Sequence, residues 1–599
     1  MKKILFALVL LTCSLALMAR PGYPGFVKVT QPDGSTLSIR LHGDEWGHWA
    51  TNAAGRVVRM DTDGFYREVP ENEAQLMMES IRVKREAGNR VRQMSADKRH
   101  VAQGQKHFLV ILVEFQDQDF DTQNPQETVS KMLNESGYSG NGATGSARDY
   151  YYQSSNGYFE PIFDVYGPVT LSQNMKYYGG NDSSGNDLRP EEAVKEGCEL
   201  LNSQIDYSQY DNDNDGRVDM VFMFYAGYGE ADGGSSNTIW PHMYYLSYLD
   251  IDLILDGKKV DKYACANELA GYGPLKGKLD GIGGVCHEFG HAMGLPDFYD
   301  SDSYNNGAAG GLYDFSLMCS GSYNNYSRTP PMFNMVERIL LGWQDETSAY
   351  KEFTKNGTVS IPEYRPDQGD PVAYMTPTDM DNEFFIYESR GSGSVWDSHL
   401  PGYGLVAYHV DKSNRTIKIR NSYVKVSELW DHWENYNAVN ENGSHPCFYV
   451  VPAPSQKNYN FDEHQTDQLP FPGTKNVKSF TPVSWNGVAS DISFSDISFA
   501  GNTVTMTVSG LPDTPGDDPA SFWLPVIANP GKGVYTVGES FALSLAKAPA
   551  GFQTVVWYWD GVQTEADSVA LTAGDHEVEA VLSLEDGKTA AVSLRITVK

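Results

Sequence analysis

The stretch that most constrains this 599-residue chain runs from His287 to Asp297 and reads HEFGHAMGLPD. A helix turns once every 3.6 residues, so His287 and His291 project from the same face. Glu288 follows the first histidine and points sideways. Gly294 is a natural helix terminator, because glycine adopts a positive φ without strain, and it lets the chain bring Asp297 back beneath the histidines. The spacing predicts a helix that ends beside a metal site.

These side chains have the chemistry of a catalytic zinc site. Zinc binds imidazole nitrogen and carboxylate oxygen, and a catalytic site keeps three protein ligands and one open position. We expect His287, His291 and Asp297 to be the ligands and Glu288 to be the base. A distant glutamate is the alternative third ligand, with Glu337 as the candidate. The structural alternative is two histidines on a buried helix that binds no metal.

The same stretch resembles the metzincin pattern HExxHxxGxx followed by a ligand, with Asp297 where the usual metzincin has a third histidine. That pattern also requires a methionine turn downstream. YDFSLMCSGSY at 313–323 supplies one, with Met318 in a turn-rich setting. A peptidase also needs a donor for the oxyanion, and Tyr323 and Tyr326 after this turn are candidates.

Further stretches extend this likeness to one family. HEFGHAMGLPDFYD, LYDFSLMCSG and LGW at 341–343 resemble the immune inhibitor A family of secreted bacterial metallopeptidases. FLVILVEFQDQDF at 108–120 resembles the first strand of the mature family members, and LPGYGLVAYHVD at 400–411 resembles a motif of their β-rich region. The likeness covers roughly residues 22–508. It implies zinc-dependent endopeptidase activity on proteins, with His287, His291 and Asp297 as ligands and Glu288 as base.

The N-terminus, MKKILFALVLLTCSLALMAR, predicts a secretory signal peptide at 1–19 that is cleaved after Ala19. No later apolar run is long enough for a transmembrane segment. The protein is therefore expected to be secreted or otherwise extracytoplasmic, in a periplasm or at a cell surface. A net charge of -32 argues against a nucleic-acid partner, because phosphate binding needs clustered cations.

Residues 20–103 are predicted to be a pro-segment. Two short strands around the turn at 32–34 begin it, and a basic connector, ESIRVKREAGNRVRQMSADKRH, ends it where an activating protease can cut. QPDGSTLSIRLHGDEWGHW resembles a pro-segment opening of the same family. LHGDEW also resembles the context in which astacin-like proenzymes place an aspartate on the zinc, so Asp44 is the candidate for latency. The alternative is a solvated acidic turn.

The chain is long enough for several domains, and its patterns change along its length. HFLVILVEF and DMVFMFYAG predict buried strands of an α+β, metzincin-like peptidase domain at 104–345. Residues 346–510 form a predicted β-rich domain, and a linker rich in Pro, Gly and Asp follows at 511–521. Short strands at 522–599 predict an immunoglobulin-like β-sandwich.

An acidic stretch, YDNDNDGRVDMV at 210–221, predicts a calcium loop. Its residues match positions 1, 3, 5, 6 and 9 of such a loop. Position 12 is Phe222 rather than glutamate, so a bidentate ligand would have to come from elsewhere. The alternative is an acidic turn before a strand. The matching residues are Asp211, Asp213, Asp215, Gly216 and Asp219.

Taken together, these patterns predict a secreted zinc endopeptidase that cleaves proteins or peptides and is made as a latent proenzyme. The alternative is a surface adhesin or glycan-binding protein with a vestigial peptidase domain, which the terminal β-sandwich would suit. The intact set of His287, Glu288, His291 and Asp297 favours the enzyme, because a dead site need not keep Glu288.

Overall fold

The computed structural model describes most of the chain, and the predicted signal peptide up to residue 17, the connector at 79–100 and most of the 511–521 linker lie outside the described residues. Among the described residues, no helix has the length and apolar character needed to span a membrane. The described residues are 18–44, 47–61, 63–78, 102–182, 185–300, 309–366, 368–419, 422–431, 439–456, 461–511, 526–528, 535–547, 552–584 and 589–598.

The predicted pro-segment contains a five-stranded antiparallel sheet in the order β2-β3-β4-β5-β6. Alternating apolar side chains on this sheet form a small core of Val27, Ile39, Ala50 and Val58. A helical stretch follows at 71–78. The strands are β1 (Met18–Ala19), β2 (Phe26–Thr30), β3 (Thr36–Asp44), β4 (Gly47–Asn52), β5 (Val57–Met60) and β6 (Tyr66–Glu68).

The next region is built on a six-stranded sheet in the order β1-β10-β13-β9-β7-β8. Strands β8, β7, β9 and β13 run parallel to one another. Strand β10 is antiparallel to β13, and β1 is antiparallel to β10. The strands are β7 (Gly104–Glu114), β8 (Phe159–Thr170), β9 (Val221–Tyr228), β10 (His242–Tyr245), β11 (Leu253–Leu255), β12 (Lys258–Val260) and β13 (Lys262–Leu269).

The central strands of this sheet are covered on both faces, which explains their nearly continuous apolar sequence. On one face Leu109 and Ile111 pack with Cys198 of the helix at 190–201. On the other face Phe108 packs edge-on against Phe289, with ring centroids 4.8 Å apart. The helices of this region are α1 (Pro125–Asn134), α2 (Ala147–Ser154), α3 (Met175–Gly179), α4 (Pro190–Leu201), α5 (Gly283–Ala292), α6 (Asn324–Ser327) and α7 (Met335–Leu340).

Two further sheets follow and pack on each other through a shared core that includes Phe385, Leu405, Phe494 and Met506. One sheet has the order β14-β16-β17-β18-β21 with β22 beside β18, and the other has the order β15-β24-β23. The elements are β14 (Tyr350–Glu352), β15 (Gly357–Pro362), β16 (Ala373–Pro377), β17 (Glu383–Arg390), β18 (Gly404–Asp411), β19 (Thr416–Ile419), β20 (Ser422–Lys425), α8 (Val426–Asp431), β21 (Phe448–Val450), β22 (Phe471–Pro472), β23 (Ser493–Ala500) and β24 (Thr503–Ser509).

The C-terminal region consists of short strands around a separate core, which includes Trp557, Val578 and Ile596. A four-stranded sheet in the order β29-β28-β31-β32 is its main layer. The prediction of a multidomain, β-rich protein with some helices is confirmed, whereas the immunoglobulin-like and metzincin-like assignments remain predictions. The strands are β25 (Val526–Ile527), β26 (Ser540–Ala542), β27 (Leu545–Lys547), β28 (Phe552–Trp559), β29 (Val562–Thr564), β30 (Ser568–Ala570), β31 (Gly574–Leu584) and β32 (Thr589–Val598).

A buried ion pair joins the region of the motif to the β-rich region. Arg390 donates from Nε and Nη2 to the two carboxylate oxygens of Asp397, at 2.7 Å each. Both residues also bond the backbone of Met332: Arg390 donates to its carbonyl at 2.8 Å, and Asp397 accepts from its N–H at 2.9 Å. The pair therefore fixes the segment before α7 to strand β17.

Removing one member of this pair should destabilise the protein strongly. We expect Asp397→Ala to lower the free energy of unfolding by about 3 kcal/mol, because it removes both charge-assisted hydrogen bonds to this carboxylate and leaves the buried Arg390 guanidinium with only Glu388, 3.6 Å from Nη1. Urea denaturation followed by tryptophan fluorescence measures the change. Glu127→Ala is the control, since it removes an exposed ion pair with Lys131 that solvent screens. Equal shifts for the two variants would contradict the role given to Arg390.

Candidate metal centre

The predicted motif forms helix α5, all of whose residues are buried. The Phe289 side chain points towards the sheet, where its ring contacts Phe108. His287 and His291 lie one helical turn apart on the opposite face of the helix. The helix ends as predicted, because Gly294 has a φ of 111° and reverses the chain. The reversal brings Asp297 back to the histidine face.

Three ligand atoms converge beside this helix. The Nε2 atoms of His287 and His291 are 3.2 Å apart, and Oδ1 of Asp297 is 3.3 Å from each of them. The Nδ1 atom of His287 lies 2.8 Å from the carbonyl oxygen of Leu317, and that of His291 lies 2.8 Å from the carbonyl oxygen of Leu295. Each Nδ1 therefore carries the proton, and each Nε2 presents a lone pair to the centre of the triangle.

The donor set fits a zinc ion. Two lone-pair nitrogens and a carboxylate oxygen at these distances repel one another unless a cation lies among them. A tetrahedral ion with ligand bonds of 2.0–2.1 Å has ligand–ligand edges of about 3.3–3.4 Å, close to those of the triangle. Burial lowers the pKa of His287, which favours the neutral imidazole that a metal ligand needs.

Glu288 lies close enough to be considered as a ligand too, since His287, Glu288 and His291 bring three ligand atoms within 4.8 Å of one another. The shorter distances of Asp297 favour it as the third ligand. Glu288 is fully buried, and its Oε1 accepts a hydrogen bond from the backbone N–H of Arg20 at 2.8 Å. Its Oε2 has no partner among the described residues. Burial raises the pKa of Glu288 well above its usual value, so this carboxylate is suited to take up a proton.

The methionine turn packs directly under the helix. A Cβ placed on Gly290 would lie 2.8 Å from Sδ of Met318, so glycine at that position allows the close approach. Ser316 holds the turn, because its hydroxyl donates to Glu337 at 2.5 Å and accepts from the N–H of Met318 at 2.9 Å. The other oxygen of Glu337 accepts from Asn334 at 2.8 Å. Glu337, the alternative ligand, is thus engaged in capping α7 and supporting the turn.

An N-terminal segment occupies the cleft beside Glu288, and the sequence alone did not predict this. Strand β1 adds to the edge strand β10, with Ala19 opposite His242. The next residues continue past the Glu288 carboxylate, where Trp240 donates to the carbonyl of Arg20 at 2.9 Å and Tyr323 donates to the carbonyl of Pro21 at 2.7 Å. We call residues 18–23 the occupying segment. It adopts the extended, antiparallel pairing with which peptides add to an exposed strand.

The other predicted site residues have different surroundings. The hydroxyl of Tyr323 bonds Pro21, whereas an oxyanion donor would have to reach the carbonyl of Ala19. Tyr326 is 38% exposed, and its ring lies by the guanidinium of Arg328, 5.7 Å from centroid to Cζ. The backbone of Asp44 lies in strand β3, but its side chain is outside what the structure describes.

The acidic loop brings three of its four aspartates together. Asp211, Asp213 and Asp215 have carboxylate oxygens within 4.8 Å of one another. Asp219 turns to Asn212, whose amide donates to it at 2.5 Å. A cation already lies in the loop, because the ammonium group of Lys258 donates to Asp211 at 2.5 Å. The sequence pattern gave no sign of this lysine, which arrives from the hairpin of β11 and β12.

Comparison with known proteins identifies the region that carries the motif. Residues 97–334 match the sequence model described as "Immune inhibitor A peptidase M6, catalytic domain". The pre-pro-metalloprotease PrtV of Vibrio cholerae is 30% identical over an alignment of 227 residues, which covers 34% of this chain and 24% of that protein. Immune inhibitor A of Bacillus thuringiensis subsp. alesti is 26% identical over 198 residues, 29% of this chain and 28% of its own. The match therefore spans about a quarter of each relative.

Among solved structures, wild-type OgpA from Akkermansia muciniphila aligns over 84% of this chain and 95% of its own, at 10% identity. The TM-score is 0.20, which is too low to carry a structural argument. The family match covers residues 97–334, which contain the motif helix and the sheet that supports it.

Filling the gap between α5 and the methionine turn should destabilise the site. We expect Gly290→Ala to lower the free energy of unfolding by about 1–3 kcal/mol, because its Cβ would displace Met318 in a packed core. Thermal denaturation measures this change. Glu199→Ala in helix α4 is the control, since this side chain is 49% exposed. An unchanged or higher melting temperature for Gly290→Ala would contradict the close packing of Met318.

Proposed function

Because residues 97–334 form an immune inhibitor A-like metallopeptidase domain, we propose that this protein is a secreted, zinc-dependent endopeptidase made as a latent proenzyme. The observation that carries the proposal is the triangle of His287, His291 and Asp297, whose ligand atoms converge within 3.3 Å of one another. A metal-free structural role for the two histidines would not require Asp297 to approach both of them. Proteins or peptides are the proposed substrates.

Each residue of the site has a separate task in this proposal. His287, His291 and Asp297 would hold the zinc, and the Lewis acidity that zinc supplies when bound polarises the carbonyl of the peptide bond. The backbone carbonyls of Leu317 and Leu295 keep both imidazoles in one tautomer and orientation.

Glu288 would take the proton of the attacking water and pass it to the leaving nitrogen. Its position supports this task, because Oε1 already contacts a backbone nitrogen of the occupying segment at 2.8 Å. That nitrogen belongs to Arg20, and it stands where the leaving nitrogen of a substrate would stand. The raised pKa of the buried Glu288 carboxylate favours uptake of the proton.

The occupying segment accounts for latency. Once the signal peptide has been cleaved after Ala19, residues 20–23 would still fill the cleft in front of Glu288, so a substrate could not bind until they leave. This arrangement competes with the prediction that Asp44 blocks the zinc. A cut in the connector at 79–100 would separate the pro-segment from the enzyme and let it dissociate.

Secretion, the calcium loop and the domain boundaries complete the proposal. The signal sequence at 1–19 supports export, and the sheets at 350–509 and 526–598 support the division near 345 and 511–521. Three converging aspartates support calcium, and Lys258 would have to leave Asp211 when the ion binds. The C-terminal region would act as a spacer or binding module.

Replacing the base should abolish activity and leave the metal in place. We expect Glu288→Ala to reduce casein cleavage by about 10³-fold or more, since the general base and its proton transfer are lost. Metal analysis of both proteins should find one zinc in each, and the same analysis measures calcium. His291→Ala is the matched variant, and it should lose zinc as well as activity. The parent and both variants are compared after removal of the pro-segment at 20–103. A parent processed in this way that holds zinc and cleaves no protein substrate would overturn the peptidase proposal.

Releasing the occupying segment should activate the uncut chain. We expect Arg20→Ala to raise casein cleavage by about ten-fold or more before any processing, because it removes a buried charge that anchors the segment. Arg56→Ala is the control, since this arginine of the same pro-segment is 64% exposed. Asp44→Ala tests the competing latch. Intact mass must confirm the same N-terminus in each variant, and activation by Asp44→Ala alone would favour the aspartate latch.

A further inference from the structure

The side chain of Arg20 fills a closed pocket next to the catalytic carboxylate. It is 1% exposed, although arginine is rarely buried without partners. Its Nη1 lies 3.2 Å from Asp232 and 3.5 Å from Asp280, and both carboxylates are themselves buried. Burial and the neighbouring Asp232 raise the pKa of Asp280 well above its usual value. A proton shared by the two carboxyl groups therefore leaves one buried negative charge to balance the guanidinium.

The remaining walls match the flat shape of a guanidinium. Its Nη2 donates to the hydroxyls of Tyr272 and Ser327 and to the carbonyl of Ser322. The ring of Tyr323 lies 3.7 Å from Cζ, so the guanidinium stacks on an aromatic face. Several donors in a plane, together with stacking, distinguish arginine from lysine, whose ammonium is a compact point charge.

The motif helix itself leaves room for this side chain. A Cβ placed on Gly284 would lie 2.8 Å from Nη1 of Arg20. Gly284 stands one turn before Glu288, so the floor of the pocket and the catalytic base belong to one rigid element. The pocket is thus a fixed distance from the reacting bond.

The register of the occupying segment shows which substrate residue enters the pocket. The N–H of Arg20 contacts Glu288, and Ala19 pairs with His242 on the edge strand. In the proposed mechanism Glu288 protonates the leaving nitrogen, so the bond between Ala19 and Arg20 lies where a substrate is cut. Arg20 then corresponds to the first residue after the cleaved bond.

We propose that the pocket of Asp232, Asp280, Tyr272 and Ser327 selects arginine as the first residue after the cleaved bond. This inference rests on the proposed peptidase function, since it assigns a substrate preference to the same site. An empty or neutral occupant would leave the buried negative charge of the Asp232–Asp280 pair without a counter-charge, which is costly. The occupying segment is then a substrate-like sequence held by the pocket that recognises substrates.

Peptide binding tests the pocket without any need for catalysis. The receptor is the full chain with Glu288→Ala and Arg20→Ala, and the probes are fluorescent peptides of the sequence Met-Ala-Xaa-Pro-Gly-Tyr. Xaa is arginine, lysine, norleucine or citrulline, which has the shape of arginine without its charge. The tethered segment competes equally with every probe, so the ratios of the dissociation constants remain informative.

We expect the arginine peptide to bind at least about ten-fold more tightly than the citrulline peptide, because one buried charge-assisted hydrogen bond provides an affinity difference of this size. Adding Asp232→Asn should bring that ratio close to one, and Gly284→Ala should weaken the arginine peptide more than the norleucine peptide. Asp252→Asn is the matched control, since this aspartate is 71% exposed. Equal binding of the arginine and citrulline peptides to the parent receptor would overturn the proposal, even if Asp232→Asn fails to fold.

Cleavage of a mixed peptide library by the Arg20→Ala chain separates this inference from the proposed function. Mass spectrometry of the products should find arginine enriched at the first position after the cut, and Asp280→Asn should reduce that enrichment. Cleavage with no preference at that position refutes the pocket and leaves the peptidase intact. Arginine-selective binding without cleavage supports the pocket and refutes the peptidase.

Discussion

The structure of the site depends on the burial of ionisable side chains along helix α5. His287, Glu288 and His291 all lie inside the protein, where an uncompensated charge or polar group costs several kcal/mol. Each is therefore met by a partner from another part of the chain: a backbone carbonyl for each imidazole, Asp297 for both, and the N–H of Arg20 for the glutamate. The helix can be buried only because the turns around it bring these partners.

Three glycines of the helix allow close approaches by other parts of the chain. Gly283 admits the carbonyl of Ser322, Gly284 admits the guanidinium of Arg20, and Gly290 admits the sulfur of Met318. Gly294 supplies the positive φ that reverses the chain towards Asp297. A helix with four glycines in and after it is intrinsically weak. It is held by the sheet, through Phe289, rather than by its own propensity.

Much of the site could be predicted from the sequence because its spacing is local. The histidines lie one helical turn apart, and Asp297 follows a glycine that must reverse the chain. Met318 lies 21 residues after Asp297. The strands at 104–114 and 221–228 were also predictable, since sheets covered on both faces have continuous apolar runs. The prediction of a peptidase domain of this family needed only these local patterns and their order.

The contacts that the sequence did not predict join distant segments. Arg20 and Asp232 are separated by 212 positions, and neither stands in a recognisable motif. Lys258 reaches Asp211 across a hairpin in the same way. The sequence suggested Tyr323 as an oxyanion donor, and its hydroxyl bonds the occupying segment, because only the folded chain brings Pro21 to it.

The occupying segment links inhibition to recognition. With the signal peptide cleaved after Ala19 as predicted, no peptide bond remains beside Glu288, and Arg20 begins the chain as the product of a cut would. Such an occupant cannot be hydrolysed, and the acidic pocket holds it by the contacts that would hold a substrate. If the proposed function holds, the affinity of the pocket for arginine would set both the substrate preference and the strength of latency, and a change in Asp232 or Asp280 would alter the two together.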